Sequence, residues 1–127
     1  MIAGNSDGHA KNLSLVYREN NEIELSPFYD LVCTRAFESI DKKLALSVGA
    51  QFDPGKIHLK NWYQLALDCD VRRQYLIKLI QEMMVGIQEN LSNVQQEFES
   101  SFDHYPALQR IEKVITKQCR QTNLYLN

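Results

Sequence analysis

A chain of 127 residues with 44% apolar side chains is long and apolar enough to bury one core. A formal charge of −2, from 14 basic and 16 acidic residues, argues against a general polycationic nucleic-acid binder. No apolar run approaches the roughly 20 residues of a membrane-spanning helix.

In chain order, residues 4–12 are rich in Gly, Asn and Asp and read as a loop. Leu13 to Tyr17 is a strand candidate, and Glu19-Asn20-Asn21-Glu22 is its turn, because Asn tolerates positive φ. Ile23 to Leu25 returns antiparallel and stops at Ser26-Pro27, where the backbone lacks an amide donor. Leu44 to Val48, closed by Gly49, is a further strand candidate. After Asp53-Pro54-Gly55 the period becomes helical. Trp62, Leu65, Ala66 and Cys69 mark one helix, and Val71, Tyr75, Leu79, Ile80, Met83, Met84, Ile87 and Leu91 a second. Leu108, Ile111, Val114, Ile115 and Cys119 mark a third, with Pro106 in its first turn. The expected architecture is α+β and predominantly α-helical: a loop-and-strand segment over 1–53, covered by a helical segment over 54–127 of the same domain. Cys33, Cys69 and Cys119 are odd in number and scattered, as expected for buried free thiols rather than a disulfide framework. The first residues, with no helix before them, are expected to fray.

The loop carries the chemistry. Phosphoryl transfer from ATP needs a carboxylate to orient the attacking hydroxyl and receive its proton, and hard oxygen ligands for magnesium on the phosphates. Asp7 fits the first role, and Asn12 and Asp30 the second. The five-residue step from Asp7 to Asn12 is that of a kinase catalytic loop. The two ends of a hairpin return side by side, which predicts Asp30 next to Asn12. His9 and Lys11, between the two, are candidate donors to phosphate oxygens. A structural histidine that pins the loop is the other reading of His9. A metal-dependent hydrolase built on Asp7, His9 and Asp30 is a weaker alternative, since further ligands at defined spacing are not evident. Lys56, Lys60, Arg72, Arg73 and Lys78 read as a solvated helix face diluted by Asp68, Asp70 and Glu82. His58 and His104 read as surface or capping residues, and Trp62 as core.

With its flanks, the loop becomes specific. Asn5-x-Asp7-x-His9-x-Lys11-Asn12, then Leu13-Ser14-Leu15, Leu25-Ser26-Pro27-Phe28-Tyr29-Asp30-Leu31 and Leu44-Ala45-Leu46-Ser47-Val48-Gly49, resembles the HipA family. These are bacterial serine/threonine kinase toxins whose C-lobe is distantly similar to phosphoinositide kinases. The resemblance covers about the first 50 residues. It implies a kinase-like C-lobe in which Asp7 is the catalytic base, Asn12 and Asp30 are magnesium ligands, and His9, Lys11 and Tyr29 lie close to ATP. It further implies a cytoplasmic toxin–antitoxin system, a HipB-type antitoxin partner, DNA contact only through that antitoxin, and a protein substrate such as an aminoacyl-tRNA synthetase. The family's glycine-rich phosphate loop, nucleotide-anchoring lysine and adenine-contacting hinge have no counterpart in these 127 residues. The chain therefore resembles the C-terminal part of such a kinase. It is expected to be inactive alone and to expose apolar surface at Phe28, Val32 and Ile40. The competing expectation is a non-catalytic module that binds an antitoxin or a separate N-lobe.

Overall fold

The computed structural model describes residues 1–126. Strands β1 (Leu15–Tyr17) and β2 (Ile23–Leu25) precede helices α1 (Leu59–Asp68), α2 (Arg73–Ser101) and α3 (Pro106–Leu126). Single 3-10 turns occupy Ala10–Asn12, Thr34–Ala36 and Pro54–Lys56. The fold is mostly helical with one two-stranded antiparallel hairpin, as the periodicities imply.

The hairpin pairs Leu15 with Leu25, Val16 with Glu24 and Tyr17 with Ile23. Its turn is closed by the Arg18 N–H on the Glu22 carbonyl, 2.9 Å, and Asn21 takes φ 60°, the left-handed conformation its short amide tolerates. An Arg18–Glu24 ion pair spans the turn end of the hairpin. Only Val16 is even partly shielded, so the hairpin stands off the body rather than contributing a sheet to its core.

The core lies where the loop-rich segment meets the helices. Ile2, Leu44, Val48, Ile57, Trp62, Ile80, Met84, Ile115, Cys119 and Leu126 form one buried cluster. Ile2 belongs to it, so the opening residues are packed rather than frayed. Apolar burial there outweighs the freedom of a chain end. Cys33 and Cys119 are buried, and burial raises both thiols above their usual pKa; Cys69 is exposed at the end of α1, contrary to expectation. Trp62 is core as expected, and the Arg73 guanidinium lies 5.1 Å from the Tyr63 ring, joining α1 to the start of α2. In the basic cluster, Lys56 pairs with Asp53 and Lys78 with Glu82 on the solvated surface.

Two expectations change. Leu44 to Val48 is not a strand. The Leu44 N–H binds the Phe52 carbonyl and the Ala45 N–H binds the Ser6 carbonyl, so adjacent residues serve different segments and no ladder forms. Only the isolated Val48–Gln51 bridge remains, across a turn in which Gly49 and Ala50 take φ 52° and 63°. Helix α2 also continues a further ten residues past Leu91, to Ser101. That extension mixes helix-favouring Gln and Glu with Val94 and Phe98, which follow Leu91 at helical spacing but stay exposed.

Two polar anchors set the mutual position of the parts. Asn61 accepts the His58 N–H on Oδ1 and donates from Nδ2 to the Gly49 carbonyl, 3.0 Å each. Gln118, 2% exposed, accepts from the Arg35 guanidinium and donates to the Pro54 carbonyl and the Thr122 hydroxyl.

Both anchors are testable by thermal unfolding. A Cβ on Gly49 would lie 2.0 Å from the Asn61 carbonyl oxygen, in a conformation that already disfavours side chains. Gly49→Ala is expected to destabilise by at least about 2 kcal/mol, a fall in Tm of roughly 8 °C for a chain of this size. Gln118→Leu keeps apolar bulk but leaves the half-buried Arg35 guanidinium without its acceptor, and is expected to cost about 1–3 kcal/mol. An unchanged Tm in either variant would refute the corresponding anchor.

Candidate functional site

The sequence places an Asn/Asp/Gly loop before the hairpin and Asp30 after it, and the fold brings the two ends together. The short 3-10 turn at Ala10–Asn12 is tightened by the Asn12 side chain, whose Oδ1 accepts the His9 N–H at 3.0 Å. This is the device Asn61 uses at the start of α1. The Asn12 Nδ2 then donates to Asp30 Oδ2 at 2.9 Å across 18 residues. The two bonds fix the amide orientation, because only nitrogen can donate to the carboxylate and only oxygen can accept the backbone N–H. Asp30 adopts φ 57°, a conformation that Asp tolerates better than most residues.

Asn5 supplies a second link. Its Oδ1 accepts the Asp7 N–H at 3.0 Å, an Asx turn, and its Nδ2 donates to the Asp30 carbonyl at 3.4 Å. The Asp7 loop and the Asp30 segment are therefore tied both through Asn12 and through Asn5. Asp7 itself is exposed, and its carboxylate makes no hydrogen bond among the described residues.

The Tyr29 hydroxyl meets Ser14 Oγ at 2.8 Å and donates to the Lys11 carbonyl at 3.2 Å. Tyr29 thus supports the Lys11 backbone, while the Lys11 side chain is exposed and without an ion pair among the described residues. His9 is half-buried, and its Nδ1 is enclosed without a hydrogen-bond partner. A cavity of about 410 Å³ opens beside it, lined by His9, Asn12 and Tyr29 on one side and by apolar groups such as Phe28, Leu46 and Leu65 on the other.

The backbone beneath the loop is held by buried polar groups. The Ser6 N–H binds Thr34 Oγ1 at 2.8 Å, Ser6 Oγ donates to the Lys42 carbonyl, and the Arg35 N–H binds the Gly4 carbonyl at 3.1 Å. Gly4, at φ 77°, has no room for a Cβ beside Cys33 Sγ and Val114. Desolvation pulls the Arg35 guanidinium pKa below its ordinary value. Sequence reasoning does not single out Asn5, Ser6 or Thr34 as site-building residues. The Asn5-x-Asp7 spacing is an Asx-turn signal, whereas the Thr34 contact spans 28 residues and leaves no local trace.

As a donor set, Asn12 and Asp30 fit magnesium. Asp30 Oδ1 is unengaged and Asn12 Oδ1 keeps one lone pair beside the His9 N–H, but it is the Asn12 amide nitrogen that faces Asp30, so joint coordination would require the amide to turn; magnesium needs few protein ligands when phosphates complete its shell. No group of three His, Cys, Asp or Glu side chains that could hold a metal occurs among the described residues.

Comparisons with known proteins agree with this arrangement. The HipA-like C-terminal domain family matches residues 1–91. The serine/threonine-protein kinase toxin HipA of Shewanella oneidensis is 36% identical over 70 residues, which are 55% of this chain and 15% of that protein. The Y4mE protein of Sinorhizobium fredii is 24% identical over 94 residues, 74% of this chain and 22% of its own length. The fold superimposes on a chain of the Shewanella oneidensis HipA, HipB and operator DNA complex with a TM-score of 0.83 at 22% identity, over 98% of this chain and 29% of that one. The chain spans less than a third of each of these relatives. With the loop from Asn5 to Asn12, the hairpin and Asp30 all inside the matched residues, this chain belongs to the HipA-like C-terminal domain family.

Proposed function

We propose that the chain is the C-terminal catalytic part of a HipA-like serine/threonine protein kinase toxin, which in the intact enzyme moves the γ-phosphate of ATP to a protein serine. The observation that carries this reading is the Asn12–Asp30 bond, which unites an amide and a carboxylate beside an unencumbered Asp7. Residues 1–53 then form the catalytic-loop and metal-binding segment, and 54–127 the helical part of the same kinase-like C-lobe.

In this reading Asp7 accepts the proton of the serine hydroxyl as the new Oγ–P bond forms and the bond from the γ-phosphorus to the bridging oxygen breaks, releasing ADP. Asn12 and Asp30 hold magnesium, which when bound neutralises charge on the β- and γ-phosphates. His9 lines the wall of the adjoining cavity and would meet the nucleotide there, while its Nδ1 stays enclosed. Lys11 offers an ammonium, and Tyr29 acts through the Lys11 backbone it supports. The partner is a HipB-type antitoxin, with DNA reached only through it and with a protein substrate of the aminoacyl-tRNA synthetase kind, in the cytoplasm. The kinase toxin name of the Shewanella relative and the HipA, HipB and operator DNA composition of the matching complex support this assignment. No helix among the described residues is long and apolar enough to cross a membrane.

One observation favours a second reading, a partner-binding module without catalysis. Phe28, Leu31, Val32, Ile40 and Leu46 are all more than 40% exposed, apolar area that burial against another protein surface would remove from water.

Calorimetry separates the two. The chain is expected to bind ATP only with magnesium, and Asp30→Ala to weaken that binding at least tenfold, about 1.4 kcal/mol. A folded chain that binds no magnesium-ATP would favour the binding module. The chain alone is expected not to incorporate labelled γ-phosphate into protein, because catalysis by positioning needs both sides of the nucleotide clamp. Turnover by the chain alone that disappears in Asp7→Asn would overturn that expectation.

A further inference from the structure

Asp7 is followed by Gly8, and no other Asp or Asn of the chain precedes a glycine. The fold does not require that glycine. A Cβ on Gly8 would meet only the Asn5 side chain, at 3.4 Å, an ordinary contact, and the Gly8 φ lies outside the left-handed region. Gly4 and Gly49, by contrast, combine a positive φ with a clash. The consequence of a bare Cα at position 8 is chemical. It leaves the Gly8 nitrogen open to approach from the Asp7 side chain.

The amides around that nitrogen are engaged. The Ser6 N–H is bound by Thr34 Oγ1 at 2.8 Å, and the Asp7 and His9 N–H groups are bound by Asn5 Oδ1 and Asn12 Oδ1, each at 3.0 Å. The Gly8 N–H has no hydrogen bond among the described residues. Neither has the Asp7 carboxylate, which is exposed to water. A carboxyl group and the amide nitrogen of the next residue are the two reactants of succinimide formation, and here neither must first be released. The neighbouring Asn5–Ser6 pair is blocked in both respects. The Asn5 amide is held at both ends, by the Asp7 N–H and the Asp30 carbonyl, and the Ser6 nitrogen is bound to Thr34.

We propose that Asp7–Gly8 is a self-modification site that converts Asp7 to isoaspartate, and that the altered loop is a substrate for a methyltransferase of the S-adenosylmethionine-dependent isoaspartyl class. The Gly8 nitrogen attacks Asp7 Cγ and forms an N–Cγ bond. The amide proton and the carboxyl hydroxyl leave as water, and a five-membered ring closes. Water then opens the ring. Cleavage of the N–Cγ bond restores aspartate. Cleavage at the former main-chain carbonyl gives isoaspartate, in which the chain runs through Cγ and the former main-chain carbonyl is the free carboxylate. Mass and formal charge are unchanged, but the backbone gains one methylene between the turn at Asn5 and the turn at Asn12. The carboxylate is thereby carried out of its place beside the Asn12–Asp30 pair. The methyltransferase esterifies the new carboxylate. Attack by the Gly8 nitrogen on that ester releases methanol and re-forms the ring, which returns the loop to the branch point. This chemistry does not depend on the kinase reading. If that reading holds, the residue that ages is the proton acceptor.

The test follows the modification itself and needs no turnover. The 127-residue chain is incubated folded at physiological temperature and digested with trypsin, and the peptides are methylated by an isoaspartyl methyltransferase with tritiated S-adenosylmethionine. Label is expected in the peptide of residues 1–11 and is expected to grow with incubation time, with electron-transfer fragmentation placing the isoaspartate at position 7. In Gly8→Val, whose branched Cβ crowds the nitrogen, that label is expected to be lost. Asp7→Asn checks the geometry independently, because ammonia replaces water as the leaving group and departs more readily. The folded variant is expected to deamidate sooner than the unaltered chain isomerises. No label in peptide 1–11, equal label in Gly8→Val, or label centred on another peptide would overturn the proposal. Deamidation of Asp7→Asn only after unfolding in urea would also overturn it, because the folded loop would then forbid ring closure.

Discussion

Gln118 is the point on which the molecule turns. A primary amide enclosed to 2% exposure must satisfy both of its ends, and this one does so by reaching the Arg35 guanidinium, the Pro54 carbonyl and the Thr122 hydroxyl. The need is structural. The first 53 residues contain only two three-residue strands, and an isolated hairpin of that size cannot hold itself together in water. They must dock on the helices, and an irregular backbone can be docked only where its polar groups find partners. Gln118 supplies one such anchor from the buried face of α3, to the Arg35 side chain within the segment and to the Pro54 carbonyl just after it. Arg35, whose Nε is buried without a partner, shows how closely the docking is drawn.

The candidate site inherits its geometry from that docking. Arg35 N–H holds the Gly4 carbonyl, Thr34 holds Ser6, and the next residue in line is Asp7. From there the amide side chains take over. Asn12 and Asn61 each accept a backbone N–H three residues earlier and each donate across to a distant segment, one to the Asp30 carboxylate and the other to the Gly49 carbonyl. One pattern thus serves once at a helix start that organises the core and once at a 3-10 turn that organises the site. Because the Asn amide both closes its own turn and grips a remote residue, local conformation and long-range contact are set together. That coupling is what a loop-borne site needs to stay in register.

Most of this frame is legible in the residue pattern alone. The hairpin follows from Asn20-Asn21 between apolar runs and from Pro27 after the second, and the helices follow from their stripes. The pairing of Asn12 with Asp30 follows from placing them at the two ends of that hairpin. What the pattern leaves out is non-local. Leu44 to Val48 looks like a strand because its composition suits one, but its amides are claimed by Phe52 and Ser6, and no alternation could reveal that. The last turns of α2 continue the stripe only through Val94 and Phe98, which the fold leaves exposed, with Gln95, Gln96 and Glu97 favouring the helix between them. Asn5 is visible as a turn former, yet its second bond, to the Asp30 carbonyl, depends on a hairpin that returns beside it.

The exposed groups around the site pull in the same direction. Leu13, Phe28, Tyr29, Leu31 and Leu46 stand open to solvent near the Asn12–Asp30 pair, itself exposed. In water that pair is screened, and a metal held by an amide and one carboxylate is held weakly. A surface laid over this rim would remove apolar area from water at about 25 cal/mol per Å². The same closure would lower the dielectric around Asp30 and any phosphate beside it, and so strengthen every charge interaction in the site. Apolar burial and electrostatic gain are then one event. On the proposed function, covering the hydrophobic rim would strengthen the charge interactions of the site, whereas the uncovered chain keeps the Asn12–Asp30 pair assembled in a high-dielectric setting.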